Sequence, residues 1–404
     1  MPVMDKSFFV NNRQKIAETL PDSIVVLSAY SAMQRGNDSA FPFEQEANFW
    51  WLCGIEAPDW WIIIDTSKQK TYLVEPNTRK NVIIFDGVLS REKAREISGA
   101  DAVLSRSEAT ELLASLSVSK QTVYSLGKDP YSKYYNFALN SAPAKMRRRL
   151  VILFKDVQDC RLELAKLRAI KQPAEITSIK MAIDLTVGAF ETIKNKISTF
   201  SYEYEIEAEL THAFRSKAGS HAYDPIVASG KNACTLHYSS NASRLSKKDL
   251  VLIDAGARKH GYAADITRTY ALQTPSKRQT EVHDAVLSAH QEIIQLLRPE
   301  LSIKSYLKTV DSIMKQALIR LGLLGSDKDE KTYRRYFPHA ISHGLGIDVH
   351  DSLGHSTKFL SGMVLTVEPG IYIPEESLGV RIEDDVLITD TGHTVLSGKL
   401  PTDL

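Results

Sequence analysis

Four acidic residues in the second half of the chain stand in apolar stretches, where a carboxylate is unusual unless it has a partner. Asp254 and Asp265 lie in DLVLIDAGARKHGYAADITRTYAL, residues 249–272. Glu368 and Glu383 lie in MVLTVEPGIYIPEESLGVRIEDDVLIT, residues 363–389. Burying a carboxylate is costly unless the group is paired or binds a cation. For any one of them, an exposed strand face or a local salt bridge is the simpler explanation.

The two acidic pairs have the same arrangement, and this symmetry favours a metal site. A turn near residues 258–261 separates Asp254 from Asp265, and the loop PEESLG separates Glu368 from Glu383. On antiparallel hairpins such pairs are near cross-strand neighbours, with Cβ atoms about 5 Å apart. Two divalent cations about 3.5 to 4 Å apart, bridged by carboxylates and a hydroxide, would offset the repulsion and form a hydrolytic centre.

A histidine-rich stretch, PHAISHGLGIDVHD at residues 338–351, offers a further ligand. It fits three descriptions: a three-histidine zinc site, a spread of surface histidines, or one metal ligand beside histidines with another task. The helical zinc motif needs a glutamate directly after its first histidine. Ala340 stands in that place, and Gly344 and Gly346 argue against a continuous helix. The other ligands must therefore come from elsewhere in the chain.

The residues together predict a ligand set of one histidine and the four carboxylates Asp254, Asp265, Glu368 and Glu383. This set is mainly hard and rich in oxygen, which suits Mn²⁺, with Co²⁺ or Zn²⁺ as alternatives. Other polar residues nearby are given simpler places. Asp384 and Asp385 are predicted at a turn or a strand edge, and His283 and His290 on a helix surface.

Composition and charge exclude several classes of protein. A chain of 404 residues is too long for one ordinary core and predicts two or three domains. Its 50 Lys and Arg against 49 Asp and Glu give no long-range field for nucleic acid or anionic lipid. The first residues lack the apolar core of a signal peptide, and no run approaches the ~20 apolar residues of a membrane span. Three distant cysteines predict no disulfide framework, and the location predicted is cytoplasmic.

The elements that must position these residues follow from hydrophobic periodicity. An N-terminal α/β domain over residues 1–158 is predicted from strands at 24–29, 60–65, 71–75 and 122–126 and helices near 91–98 and 107–117. A second, α+β domain over residues 159–404 is predicted from two successive helices at its start, helices at 202–218, 276–297 and 303–323, and strands with tight turns from 338 onward. Pro173 suits the first turn of a helix.

The motifs that carry these residues resemble those of the pita-bread metallopeptidases, a family that includes aminopeptidase P, prolidase, methionine aminopeptidase and creatinase. The segments are LIDAGA, GYAADITRT, SHGLGIDVHD, VLTVEPGIYIP and VRIEDDVLIT, in the family's order and spacing. The resemblance covers essentially the whole chain and is greatest to aminopeptidase P, the Xaa-Pro aminopeptidase, with prolidase as a close relative. It implies a C-terminal pita-bread catalytic domain after an N-terminal domain of the creatinase and aminopeptidase P type.

The resemblance also assigns residues to roles. It implies that the ligands of two metal ions are Asp254, Asp265, His343, Glu368 and Glu383. Asp265 and Glu383 would bridge the ions, with Asp254 on one ion and His343 and Glu368 on the other. His237, His339 and His350 would face the substrate, and Tyr372 and Arg381 would organise the site and shuttle protons. Ala340 departs from the glycine usual in the family, and His355 has no assigned place.

The N-terminal segment FPFEQEANFWWLCGI, residues 41–55, resembles the aminopeptidase P N-terminal domain more closely than that of prolidase. Methionine aminopeptidases lack this domain. Core packing is the simple explanation for Phe49, Trp50 and Trp51. In the family this domain often helps to close a neighbouring subunit's active site, so an exposed tryptophan would indicate an oligomer. The resemblance implies a homodimer or homotetramer.

The expected activity is removal of the N-terminal residue from peptides with proline second. The hypothesis is that a hydroxide between two divalent ions attacks the carbonyl before proline while Glu368 transfers the proton. His237 and His350 would stabilise the tetrahedral intermediate, with the assistance of His339. The alternatives are an Xaa-Pro dipeptidase and, more distantly, a non-catalytic binding module of the same fold. The expected partners are peptide substrates, with no nucleic acid and no membrane.

Overall fold

A computed structural model describes residues 4–128 and 138–404 of the chain. The chain divides into two compact units, Met1–Leu167 and Arg168–Leu404. The boundary predicted between residues 158 and 159 falls within the last strand of the first unit, Val157–Asp159, which pairs with the strand Thr122–Ser125. The domain limits of 1–158 and 159–404 stay a prediction.

The first unit is built on one mixed six-stranded sheet. Its helices are α1 (Lys6–Thr19), α2 (Ala47–Cys53), α3 (Lys80–Asp86), α4 (Arg91–Ser98), α5 (Arg106–Ser117) and α6 (Ala142–Leu153). Its strands are β1 (Ser23–Ser28), β2 (Trp61–Asp65), β3 (Lys70–Val74), β4 (Ala102–Leu104), β5 (Thr122–Ser125) and β6 (Val157–Asp159). The strand order is β4-β3-β2-β1-β5-β6, with β1, β5 and β6 parallel. The predicted strands and helices of this α/β region are confirmed.

The aromatic triplet of α2 is packed inside this unit. Phe49 and Trp51 are fully buried and Trp50 nearly so. The helix ends at Gly54 in the left-handed conformation, with φ of 69°, where the Phe9 ring occupies the space that a Cβ atom would need. The explanation of the triplet as core is confirmed, and these side chains do not form an exposed surface within this unit.

The second unit combines long helices with short antiparallel strands. Helix α7 (Arg161–Ala169) begins in the first unit and ends just after the boundary. The helices within the second unit are α8 (Pro173–Lys196), α9 (Glu203–Ser216), α10 (Lys277–Leu296), α11 (Ile303–Arg320) and α12 (Glu330–Tyr336). Its strands are β7 (Ser220–His221), β8 (Ile226–Ser229), β9 (Leu250–Ala255), β10 (Ala257–Lys259), β11 (Tyr262–Ala263), β12 (Ile266–Ala271), β13 (Val364–Val367), β14 (Gly370–Ile373), β15 (Leu378–Arg381), β16 (Asp384–Ile388) and β17 (His393–Val395). Pro173 is the first residue of α8, as predicted.

The periodic apolar residues of α10 form the contact with the core. Val282, Val286, Ala289 and Ile293 are all fully buried, as the spacing of three and four residues predicts. This face packs with α11 and the strands near the C-terminus into one large hydrophobic cluster. The cluster packs against one side of the paired strands β13 and β16. Glu368 directly follows β13, and Glu383 directly precedes β16.

Both predicted hairpins form. In the first, β9 pairs with β12 and β10 with β11, and His260 and Gly261 make the turn with φ of 49° and 81°. Both turn residues thus have positive φ, which matches the tight hairpin turns that follow the strand twist. In the second, β13 pairs with β16 and β14 with β15.

Two predictions about neighbouring polar residues are wrong. Asp384 and Asp385 are buried inside β16, with 2% and 0% exposure, rather than at a turn or edge. His283 and His290 are each 3% exposed, because the face of α10 that carries them is also covered. His290 Nε2 lies 3.1 Å from Asp384 Oδ2, so two of the residues that were predicted on the surface interact with each other in the interior.

No helix within residues 4–128 and 138–404 combines the length and the apolar character that a membrane crossing requires.

Candidate metal centre

The two aspartates stand on the same face of the first hairpin, offset by two residues. Asp254 pairs in register with Thr267, and Asp265 precedes Thr267 by two positions. Residues directly opposite or two apart along a strand point to one face. Both aspartates are largely buried, with 8% and 5% exposure.

The two glutamates face each other across the second hairpin. Val367 pairs with Asp384, so the adjacent residues Glu368 and Glu383 are opposite one another where β13 leads to β14 and β15 leads to β16. The backbone N–H of Glu368 donates to the carbonyl of Ile341 at 3.0 Å. Backbone hydrogen bonds thus determine where both glutamate side chains begin.

A direct link joins the two hairpins at Thr267 and Glu383. These residues form an isolated antiparallel bridge, and the Glu383 N–H donates to the Thr267 carbonyl at 3.0 Å. The Thr267 hydroxyl donates to Glu383 Oε2 at 2.6 Å. Although 116 residues separate them in sequence, the two acidic pairs are brought to one place.

His343 reaches the carboxylates because its segment runs along β13. Its N–H donates to Thr366 Oγ1 at 3.2 Å, and the Thr366 N–H donates to its carbonyl at 2.9 Å. The imidazole Nδ1–H donates to the Gly344 carbonyl at 3.0 Å, since a carbonyl can only accept. The Nε2 atom is then directed at Asp265 and Glu368, at 3.4 and 3.6 Å. A backbone hydrogen bond of this kind orients a histidine ligand.

The five predicted ligands form overlapping clusters. His343, Glu368 and Glu383 offer ligand atoms that all lie within 4.8 Å of one another, and so do Asp254, Asp265 and Glu383. Glu383 belongs to both groups. His350, which the resemblance assigns to substrate, forms a third such group with Asp265 and His343.

The electrostatics of the centre fit the binding of cations. Burial, together with the neighbouring carboxylates, raises the pKa of Glu383 well above its ordinary value. Burial also raises the pKa of Asp254, despite the opposing charge of Arg381. Burial raises the pKa of Glu368 to about 7, although the charges of His343 and Arg381 oppose the shift. Buried carboxylates that lie this close together need positive charge nearby. Their oxygen atoms are the ligands that divalent ions prefer.

Arg381 and Tyr372 connect the carboxylates to His339. The Arg381 guanidinium donates to Asp254 Oδ2 at 2.5 Å and to the Tyr372 hydroxyl at 2.9 Å. His339 Nδ1 donates to the Ala340 carbonyl at 2.8 Å, so its Nε2 accepts from the Tyr372 hydroxyl at 2.8 Å. Burial and the charge of Arg381 lower the pKa of His339 to about 4, which keeps this imidazole neutral.

The remaining two histidines lie at the exposed rim of the centre. The His350 ring centroid is 4.2 Å from that of His343. His237 is exposed, and its charge is close enough to contribute to lowering the pKa of His339 and of His350, behind the larger effect of burial. All ten distinct residues of the predicted site therefore lie in the same unit, and their contacts and charge interactions converge on one region.

Two residues of this region were absent from the sequence prediction. Thr267 joins the hairpins, and its place two residues after Asp265 on the same strand face was a usable signal. The Tyr223 hydroxyl lies 2.6 Å from Asp254 Oδ1 and 2.5 Å from Asp265 Oδ1. No spacing in the sequence connects Tyr223 with the hairpin, because it precedes β8 and reaches the aspartates only in the folded unit.

Comparison with known proteins agrees with this geometry. Residues 177–390 match the model of metallopeptidase family M24, and residues 9–124 match that of the aminopeptidase P N-terminal domain. Xaa-Pro aminopeptidase of Escherichia coli (strain K12) is 34% identical, and the alignment covers 99% of this chain and 96% of that protein.

Solved structures are similar over the same length. Aminopeptidase P from E. coli with the inhibitor Pro-Leu superposes with a TM-score of 0.84 at 31% identity, over 99% of this chain and 96% of that one. Zinc-substituted E. coli aminopeptidase P in complex with product gives a TM-score of 0.84 at 32% identity over the same shares. The pita-bread architecture expected from the sequence is thereby confirmed, together with the two-domain organisation.

Proposed function

The chain belongs to metallopeptidase family M24, and we propose that it is an Xaa-Pro aminopeptidase that works with two divalent metal ions. It is a hydrolase of the metallo-exopeptidase class. The substrates proposed are peptides with proline in the second position, from which the enzyme removes the first residue. The observation that supports this most is the convergence of four carboxylates and His343 from distant parts of the chain.

The proposed ligands are divided between two ions. Asp254 would serve one ion, His343 and Glu368 the other, and Asp265 and Glu383 both. The membership of Glu383 in two separate ligand groups supports its bridging position. The oxygen-rich set favours Mn²⁺, with Co²⁺ or Zn²⁺ as alternatives. When bound, the ions would lower the pKa of a shared water, so that it attacks as hydroxide, and would polarise the scissile carbonyl.

The peptide bond before proline has a tertiary nitrogen, so an enzyme cannot recognise this bond through an N–H group. A nucleophile activated by metal ions does not need that contact. Glu368 takes the proton of the hydroxide nucleophile after its attack and passes it toward the proline nitrogen, the leaving group. His237 and His350 bind the substrate and stabilise the developing oxyanion, with the assistance of His339. The place of His237 and His350 at the exposed rim supports their assignment.

Tyr372 and Arg381 are proposed to organise the site and move protons. Arg381 neutralises part of the charge of Asp254 and fixes the Tyr372 hydroxyl, which in turn donates to His339. This chain of hydrogen bonds gives a route between the carboxylates and a neutral imidazole. It also explains why a buried arginine lies among groups that are proposed to bind cations.

The test is removal of metal. Protein stripped by a chelator should lose cleavage of an Xaa-Pro-Yaa tripeptide and regain it with Mn²⁺. Full activity of the stripped protein would refute the mechanism. A length series from the dipeptide Gly-Pro to longer Xaa-Pro peptides separates an aminopeptidase from an Xaa-Pro dipeptidase, which would favour the dipeptide.

We further infer a homodimer or homotetramer that acts in the cytoplasm, without nucleic-acid or membrane partners. The support is the resemblance of the N-terminal region, residues 9–124, to the aminopeptidase P N-terminal domain and the near balance of charge, 50 basic against 49 acidic residues. Sedimentation of the purified protein would measure the oligomeric state.

A further inference from the structure

Glu203, the first residue of α9, is a buried carboxylate that the proposed mechanism does not use. Its exposure is 0%. Its Oε1 accepts from the Ser229 N–H and hydroxyl, both at 2.8 Å, and from Asn232 Nδ2 at 2.9 Å. Its Oε2 accepts from the Tyr238 hydroxyl and the Ser243 N–H, each at 2.8 Å. One side chain therefore accepts five hydrogen bonds.

All five donors belong to one segment, residues 229–243, which we call the rim loop. The rim loop carries His237, and the donor Tyr238 is the next residue. The backbone adds to the anchoring, because the Glu203 N–H donates to the Ser243 carbonyl at 3.0 Å. Glu203 thus ties the start, the middle and the end of the rim loop to a single point.

The environment of Glu203 requires a group that only accepts. Three of the five donors are N–H groups, which cannot act as acceptors. In the part of the chain that the structure describes, no lysine, arginine or histidine forms an ion pair with this carboxylate, so hydrogen bonds and the N-terminal end of α9 compensate its burial. An amide in its place would turn an N–H donor toward these donors and leave buried groups unpaired.

We propose that Glu203 is a positioning residue for substrate binding, which holds the rim loop so that His237 faces the substrate at the metal centre. The inference rests on the proposed function, because the contact of His237 with substrate is part of it. None of the five proposed metal ligands lies on the rim loop. Glu203 therefore acts on substrate binding and leaves metal binding intact.

The first experiment compares two substitutions in α9 that make the same chemical change. Glu203→Gln should lower kcat/KM for an Xaa-Pro-Yaa tripeptide at least about tenfold, with about a tenfold rise of KM as part of the effect. Bound metal should equal that of wild type. Glu205→Gln is the matched control. Glu205 accepts hydrogen bonds from the N–H groups of Ser201 and Tyr202 at the start of α9, away from the rim loop, so its substitution should change neither KM nor kcat. Loss of metal in Glu203→Gln, or an unchanged KM, would overturn the proposal.

A double-mutant cycle tests whether the effect passes through His237. In a His237→Ala background, Glu203→Gln should raise KM by less than about twofold, since the group it positions is already gone. Equal increases in both backgrounds would mean that Glu203 acts elsewhere. Tyr238→Phe removes one donor and leaves four, and it should give a smaller rise of KM; it serves as the second variant where Glu203→Gln fails to fold.

Amide hydrogen exchange gives a readout that does not depend on activity. Glu203→Gln should exchange faster than wild type across residues 229–243 and equally across β9 and β12. Unchanged exchange in the rim loop would overturn the anchoring role. A wild-type protein that leaves Xaa-Pro peptides uncut would instead refute the proposed function, and the exchange result would still decide whether Glu203 holds the rim loop.

Discussion

The carboxylates of the centre stand on or beside paired strands, whereas its histidines stand on irregular segments. Asp254 and Asp265 are held by the β9–β12 register and Glu368 and Glu383 by that of β13–β16. The histidines follow turns and loops, with His343 alone tied along a strand. We call the four carboxylates, together with the proposed ligand His343, the carboxylate half of the site, and His237, His339 and His350 the histidine half.

The difference matches the tasks that the two halves are proposed to have. Four carboxylates repel each other, so they need a framework that cannot relax before a cation binds. The ladder of hydrogen bonds and the Thr267–Glu383 link supply it. Histidines that contact peptides of different sequence need less fixed places, and loops anchored at a few points provide them.

The largest effect is expected in the carboxylate half. Glu383→Gln removes a charge shared by both ligand groups and should abolish stable metal binding, lowering kcat/KM at least about 10³-fold. Elemental analysis and tripeptide kinetics measure both. Glu375→Gln in the same hairpin is the control, because Glu375 is exposed and its ion pair with Arg335 lies at the surface, where such pairs contribute little. Normal metal content in Glu383→Gln would remove the distinction between the halves.

In the histidine half, loss of rate should occur without loss of metal. His350→Ala should keep its metal and lose about 10²-fold in kcat/KM, since it removes a group that stabilises the transition state. His343→Ala should lose metal. Because His350 lies in a ligand group with Asp265 and His343, metal loss in His350→Ala would show that His350 is a metal ligand and not a substrate-binding residue.

The metal-free protein should reveal the strain of the carboxylate half through pH. The folded pKa of Glu368 is raised to about 7 from 4.5, so its protonated form favours folding below about pH 4.5 and this stability is lost as pH rises to about 7. Glu368→Gln lacks the loss. With chelator present, the difference between the free energies of unfolding of Glu368→Gln and wild type should shift in favour of the variant between pH 4.5 and 7. The expected shift is on the order of 1 to 3 kcal/mol. Urea unfolding of both proteins at each pH measures this difference. Stabilities that change in parallel with pH would contradict the raised pKa of Glu368.

The smallest effect is expected at Ala340, where the chain departs from the usual glycine. Ala340 is exposed, and its carbonyl accepts from His339 in a way that a glycine would preserve. Ala340→Gly should therefore change kcat/KM by less than about twofold. A tenfold change would show that the backbone beside His339 tunes the histidine half more closely than its hydrogen bonds indicate.

The sequence predicted the carboxylate half well because strand periodicity and turn position determine it locally. The turn at His260 and Gly261 and the loop before β15 place each acidic pair from nearby residues alone. The resemblance to a family then supplied the choice of His343 among three histidines. Spacing by itself left that choice open, since the pairing of its segment with β13 is a tertiary contact.

The residues wrongly predicted at the surface are buried by contacts with distant parts of the chain, which no local sequence pattern shows. Asp384 is buried because Arg268 donates to it at 2.8 Å and His290 lies beside it, and both partners are far away in sequence. The charged residues looked like surface positions because a buried ion pair has no hydrophobic signal. Tyr223 was missed for a similar reason, as its two partners, Asp254 on β9 and Asp265 just before β12, are distant in sequence.

Thr267 and Glu383 are 116 positions apart, so they are synthesised at different times. A ribosome makes roughly 5 to 20 residues per second, so the first hairpin leaves it roughly 6 to 23 s before the second. During that interval the nascent chain carries the two aspartates without the glutamates, His343 or the Thr267–Glu383 link. Three of the five proposed ligands are still missing at that stage, so the complete ligand set can assemble only late in the synthesis of the chain.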